Sequence, residues 1–118
     1  MNNVGPLPII QKTYDFILWL IPKLGRFPKD QKFILGDRIE NGLLEFLGLL
    51  IEAEFTAKKL SVLHRANIEF EKVRMLIRMT NDLHLLGLDG YKHCSERIVE
   101  IGRMLGGWMK QQESARAQ

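Results

Sequence analysis

Four runs of apolar residues, each repeating at alternating intervals of four and three, limit what this chain can fold into more than any other feature. That spacing sets side chains along one face of an α-helix, because 3.6 residues complete each turn. The first run is Ile10, Tyr14, Ile17, Ile21 and Leu24, and the second is Ile39, Leu43, Phe46, Leu50, Ala53, Ala57 and Leu60. The third is Ala66, Phe70, Val73, Ile77 and Thr80, widened by Leu63, Leu76 and Leu83. The fourth is Cys94, Ile98, Ile101, Leu105 and Trp108. No alternating segment rich in Val, Ile and Thr suggests a strand, so the expected class is all-α.

Proline and glycine punctuate the runs. Gly25-Arg26-Phe27-Pro28 reads as a connection with Gly25 as a C-cap, and Gly87-Leu88-Asp89-Gly90 reads as another. Pro22 is expected to kink the first helix near its end. Asp30 and Ser61 are N-cap candidates. These signals predict helices over about 7–24, 30–60, 62–86 and 91–113, with a disordered tail at 114–118, in one domain spanning 1–118. Short connections between such helices predict an antiparallel up-down-up-down four-helix bundle. Between Leu43 and Ile51 the second helix is apolar almost all round, so it is either central or covered by another subunit.

The residues speak against an enzyme. His64, His84 and His93 form no His-Glu-x-x-His or Glu-x-x-His pair, and the helical seams are aliphatic where a bundle metal site needs inward carboxylates. His93 and Cys94 diverge by about 100° on a helix, which reads as a surface histidine beside a buried thiol. Cys94 is the single cysteine, so neither an internal disulfide nor a Cys-x-x-Cys site is available, in keeping with a reducing compartment. Glu52, Glu54, Glu69 and Glu71 interleave with Lys58, Lys59, Arg65 and Lys72, the pattern of a mutually compensated surface. No metal, cofactor or small-molecule substrate is expected. No stretch reaches the ~18 apolar residues of a membrane span. Met1–Pro6 lacks the basic start of a signal peptide, so an intracellular, cytoplasmic protein is the expectation.

The cations carry more information. The chain has a net charge of +3, which permits a polyanionic partner without requiring one. Arg74 and Arg78 sit at i and i+4 and share a face, and Arg103 and Lys110 sit seven apart and share another. With Arg97 and Lys92 they can form a basic stripe suited to phosphate oxygens. An opposite reading stands beside this one. Glu71, Asp82 and Glu100 lie three or four residues from Arg74, Arg78 and Arg103 and can neutralise each locally. The fourth helix also holds Gly102, Gly106 and Gly107 next to Trp108. Each glycine costs about 1 kcal/mol against alanine inside a helix. Two readings of them remain open: a surface where another helix packs closely, or room for Trp108 or another bulky neighbour.

The Pro28-Lys29-Asp30 entry to the long second helix, Arg74-Met75-Leu76-Ile77-Arg78 on the third, and Ile101-Gly102-Arg103-Met104-Leu105-Gly106-Gly107-Trp108 on the fourth resemble a known family. They are similar to the accessory variability determinant (Avd) proteins of diversity-generating retroelements, which belong with the four-helix-bundle proteins encoded by 23S ribosomal RNA intervening sequences. The likeness runs from about Tyr14 to Lys110. It implies a homopentameric barrel with a positive surface and no active site. It further implies binding to a reverse transcriptase and to template-repeat RNA, or DNA, in support of mutagenic retrohoming. Arg74 and Arg78, with Arg103 and Lys110 as a second set, are the binding positions it suggests, and Arg97 of the basic stripe joins them as a candidate. The alternative is a structural bundle of the intervening-sequence type with weak or no RNA binding.

Overall fold

The computed structural model describes residues 6–117, with side chains to 116. Helix α1 covers Pro6–Leu24. A short helix α2, Lys29–Gln31, passes through a π-helical turn at Lys32–Gly36 into α3, Asp37–Phe55. Helix α4 covers Lys59–Asp82 and α5 covers Gly87–Ala117. Among the described residues there is no strand, and no helix is long and apolar enough to cross a membrane. Helix α3 packs against α4 and α1, while α5 packs against α4 and α1, which closes a ring of four long helices about one core. The molecule measures 51 × 26 × 20 Å.

Trp108, Phe16, Phe46 and Phe70 are the largest side chains sealed in that core. The rings of Phe46 and Phe70 meet across α3 and α4 with centroids 4.7 Å apart. The backbones of these two helices come close at Gly42, where a Cβ would lie 2.6 Å from Val73 Cγ2. Here glycine answers a steric need.

The seams expected on α4 and α5 from Ala66 to Thr80 and from Cys94 to Trp108 are all buried. On α1 the buried face is Ile9, Thr13, Phe16, Ile17, Leu20 and Leu24, while Tyr14 and Ile21 are exposed. This corrects the face read from sequence. The helix is apolar over most of its circumference and offers two seams of the same period about a quarter turn apart.

The second long helix ends at Phe55, not near Leu60, and Thr56 is extended with φ −109° and ψ 151°. Lys59 explains the early stop: its Nζ donates to the carbonyls of Ala53 at 2.9 Å and Glu54 at 2.8 Å. Ala57 is consequently exposed. Ser61 does not cap α4, since the helix has already begun at Lys59; its hydroxyl donates to the Lys58 carbonyl at 3.2 Å. Asp30 likewise lies inside the first turn of α2, after Pro28, and makes no cap. Pro22 sits in the last turn of α1 without ending it.

Helix α4 ends at Asp82, four residues before the expected Leu86. The stop is a Schellman motif with a histidine in the left-handed position: His84 has φ 59°, its N–H donates to the Asn81 carbonyl at 3.0 Å, and the Leu85 N–H donates to the Thr80 carbonyl at 2.9 Å. Gly87, at φ 75°, therefore opens α5 where sequence reading made it a breaker. At the other end α5 continues through Ala117, replacing the disordered tail expected from 114; Gln111 to Ala117 contains no glycine or proline to stop it. Gln118 lies outside the described residues.

Candidate nucleic-acid interface

Helices α4 and α5 run side by side and leave an open groove of about 300 Å³ between them. Arg74, Met75 and Arg78 line it from α4, with Tyr91, Ser95 and Val99 from α5. The two arginines reach the same groove because four residues return a helix to the same face. Arg74 Nη1 lies 3.3 Å from Glu71 Oε1, an exposed pair. Such a pair is worth under about 1 kcal/mol and yields readily to a better anion. Among the described residues no carboxylate lies within ion-pair distance of Arg78; Asp82 makes no such pair. The groove thus presents one free guanidinium and one loosely held by Glu71, which also lines it, beside apolar surface from Met75, Ile77, Ile98 and Val99.

A second groove, about 490 Å³, lies between α1 and α5 and is lined by Lys12, Glu100, Arg103, Met104 and Gly107. Here Glu100 is taken by Lys12 Nζ at 3.5 Å and by Arg97 Nη1 at 3.4 Å. Its partner is therefore not Arg103, which makes no ion pair among the described residues. Arg97 is the opposite case. It is one-third exposed and also lies 3.8 Å from Glu96, so its charge is compensated. Lys92, Arg103 and Lys110 share the outward strip of α5 with Val99 and Gly106, at helical intervals of seven, four and three. The six cations singled out from sequence thus fall into three settings: Arg74 and Arg78 in the groove, Lys92, Arg103 and Lys110 on the outer strip, and Arg97 in an ion-pair cluster.

The α5 glycines separate as well. A Cβ on Gly102 would meet Phe70 at 3.6 Å and Arg74 Nη2 at 3.7 Å, ordinary contacts, whereas one on Gly106 meets nothing within 4 Å. Within one chain, Gly106 therefore makes room for no neighbour. Gly107 lines the α1–α5 groove, and Trp108 is 1% exposed inside the core. Sequence reading did not single out Gly42. A mid-helix glycine opposite a β-branched seam residue was its available signal.

Two further groups, His93 and Cys94, bear on whether the described residues hold a reactive centre. His93 is half-buried against Trp19, with ring centroids 4.0 Å apart, and not on the surface as the sequence suggests. Lys23 Nζ sits 4.0 Å above the same indole. Burial pushes the Cys94 thiol up to about 12, with Lys23 opposing weakly, so it stays protonated and is a poor nucleophile. Among the described residues no three His, Cys, Asp or Glu side chains gather as a metal site requires.

A model of the bAvd-like family matches residues 7–112, nearly the whole chain. No curated protein and no solved structure matches it.

Proposed function

This chain belongs to the bAvd-like family, and we propose that it is a non-catalytic accessory protein of a diversity-generating retroelement, binding the element's reverse transcriptase and its template-repeat RNA in support of mutagenic retrohoming. The observation that carries the RNA part is the α4–α5 groove, where Arg78 is unpaired and Arg74 is held only by an exposed carboxylate. Guanidinium forks match phosphate oxygens, and Tyr91 offers an aromatic surface to a base. Arg103 and Lys110 extend the positive field along α5.

The same reading has the four helices alternate in direction and several copies assemble, five by resemblance. Alternation is supported by residue pairs that run in opposite order: Gly42 with Val73, Phe46 with Phe70 and Glu52 with Arg65 between α3 and α4, and Lys12 with Glu100 and Trp19 with His93 between α1 and α5. Assembly multiplies a weak basic patch around an axis, which offsets the modest charge of one chain.

The test is the salt dependence of RNA binding, read by fluorescence anisotropy on a template-repeat RNA. Arg74→Ala with Arg78→Ala is expected to weaken binding and lower the log–log slope by about two units at most. An unchanged slope removes the groove as the contact. Failure to bind RNA at all, together with no reverse transcriptase recovered with the tagged protein from its native cells, would leave a structural bundle.

A further inference from the structure

The two arginines of the α4–α5 groove sit one helical turn apart and are held differently. Arg74 reaches across from α4 to α5. Its Nη1 lies 3.3 Å from Glu71 Oε1, and its Nη2 lies 3.7 Å from the point where a Cβ on Gly102 would stand. Gly102 thus leaves bare α5 backbone beside the guanidinium, while Glu71, one turn back on α4, holds its other nitrogen. Arg78 has no carboxylate within ion-pair distance among the described residues, although Asp82 follows it by one turn. Both acids and both arginines are exposed, yet only one acid is engaged. The groove therefore holds one open cation and one occupied by a carboxylate that itself lines the groove.

We propose that Glu71 is a specificity-determining residue of this groove: it keeps Arg74 from lone anions and yields it to a strand whose neighbouring phosphate is already seated on Arg78. An exposed ion pair is weak. A lone phosphate must nonetheless displace a carboxylate that the helix keeps permanently at hand. A phosphate on a strand already bound at Arg78 is tethered as well, which raises its effective concentration at Arg74. The contest is then between two tethered anions, and the guanidinium fork suits phosphate oxygens. Four residues separate the arginines, which sets their Cβ atoms about 5–6 Å apart, so consecutive phosphates of one strand can reach both.

This deepens the RNA reading of the groove and rests on it for the identity of the strand; two measurements separate the fates of the two. The first is RNA affinity by fluorescence anisotropy for E71Q, alone and combined with R74A, and for D82N. The last removes an equal charge beside Arg78 but frees no arginine. E71Q is expected to tighten binding roughly two- to fivefold, the worth of an exposed pair. In the R74A background it is expected to do no more than D82N. No gain from E71Q, or a gain that persists undiminished without Arg74, would overturn the proposal. The second measurement needs no RNA: the arginine Nε–H signals in ¹H–¹⁵N NMR, assigned with R74K and R78K, are followed as inorganic phosphate is added. In the parent chain the Arg78 signal is expected to move and the Arg74 signal to stay; in E71Q both should move. Arg74 moving together with Arg78 in the parent, or staying put in E71Q, would also overturn it. A chain that binds no RNA but shows the expected order of shifts refutes the RNA reading and leaves Glu71 as the bar to lone anions.

Discussion

The α3–α4 contact and the outer face of α5 each hold a glycine deep inside a long helix, in opposite surroundings. A Cβ on Gly42 would press to 2.6 Å of Val73 Cγ2, a stiff β-branched side chain in the core; one on Gly106 would enter open space. The first glycine sets how near two helices can come. The second gives up helix stability for nothing within its own chain. Local cost in the sequence is therefore no guide to where backbones approach; the residue on the facing helix decides it.

Five substitutions can break or sharpen that contrast, each read as a change in unfolding free energy by chemical denaturation. The inner side of α5 sets the upper scale: Trp108→Ala should lose about 3–5 kcal/mol, the cost of emptying a large aromatic site. Gly42→Ala should cost about 1–3 kcal/mol, because Val73 is buried and β-branched, and so stiff about χ1. A neutral result there would mean that α3 and α4 slide apart freely, and the contrast would fail. Two buried threonines carry the same distinction between filled and empty on a smaller scale. Thr80 Oγ1 donates to the Ile77 carbonyl at 2.6 Å, while Thr13 Oγ1 has no partner among the described residues. Thr80→Val should lose about 1 kcal/mol, and Thr13→Val should be neutral or gain. Gly106→Ala is of the same small size and opposite in sign to Gly42→Ala, expected to stabilise by up to about 1 kcal/mol. A loss at Gly106 would show that some other surface rests on it.

The helical class and the faces of α4 and α5 were legible because those helices alternate apolar and polar residues sharply. From Cys94 to Trp108 every seam position is buried. The face of α1 was not legible, since Ile9, Ile10, Tyr14, Phe16, Ile17, Leu20 and Ile21 satisfy the helical period in more than one phase. Two helix ends were missed because their stops use no glycine or proline. Lys59 caps α3 from the following helix, and His84 takes the left-handed position that glycine usually fills. Among the site residues, spacing alone put Arg74 and Arg78 together. Spacing did not reveal that Glu100 turns to Lys12 and Arg97, leaving Arg103 free, because Lys12 arrives from another helix.

The lysine that ends α3 has a consequence for how quickly the molecule forms. Lys59 ties the last carbonyls of one helix to the first residue of the next across a connection of only Thr56 to Lys58, so this hairpin closes at little entropic cost. Such a local clasp is expected to be in place at the folding transition state, making α3–α4 the nucleus on which α1 and α5 condense. Lys59→Met should then slow refolding roughly fivefold for about 1 kcal/mol lost and leave the unfolding rate nearly unchanged, as read from the two limbs of a chevron plot.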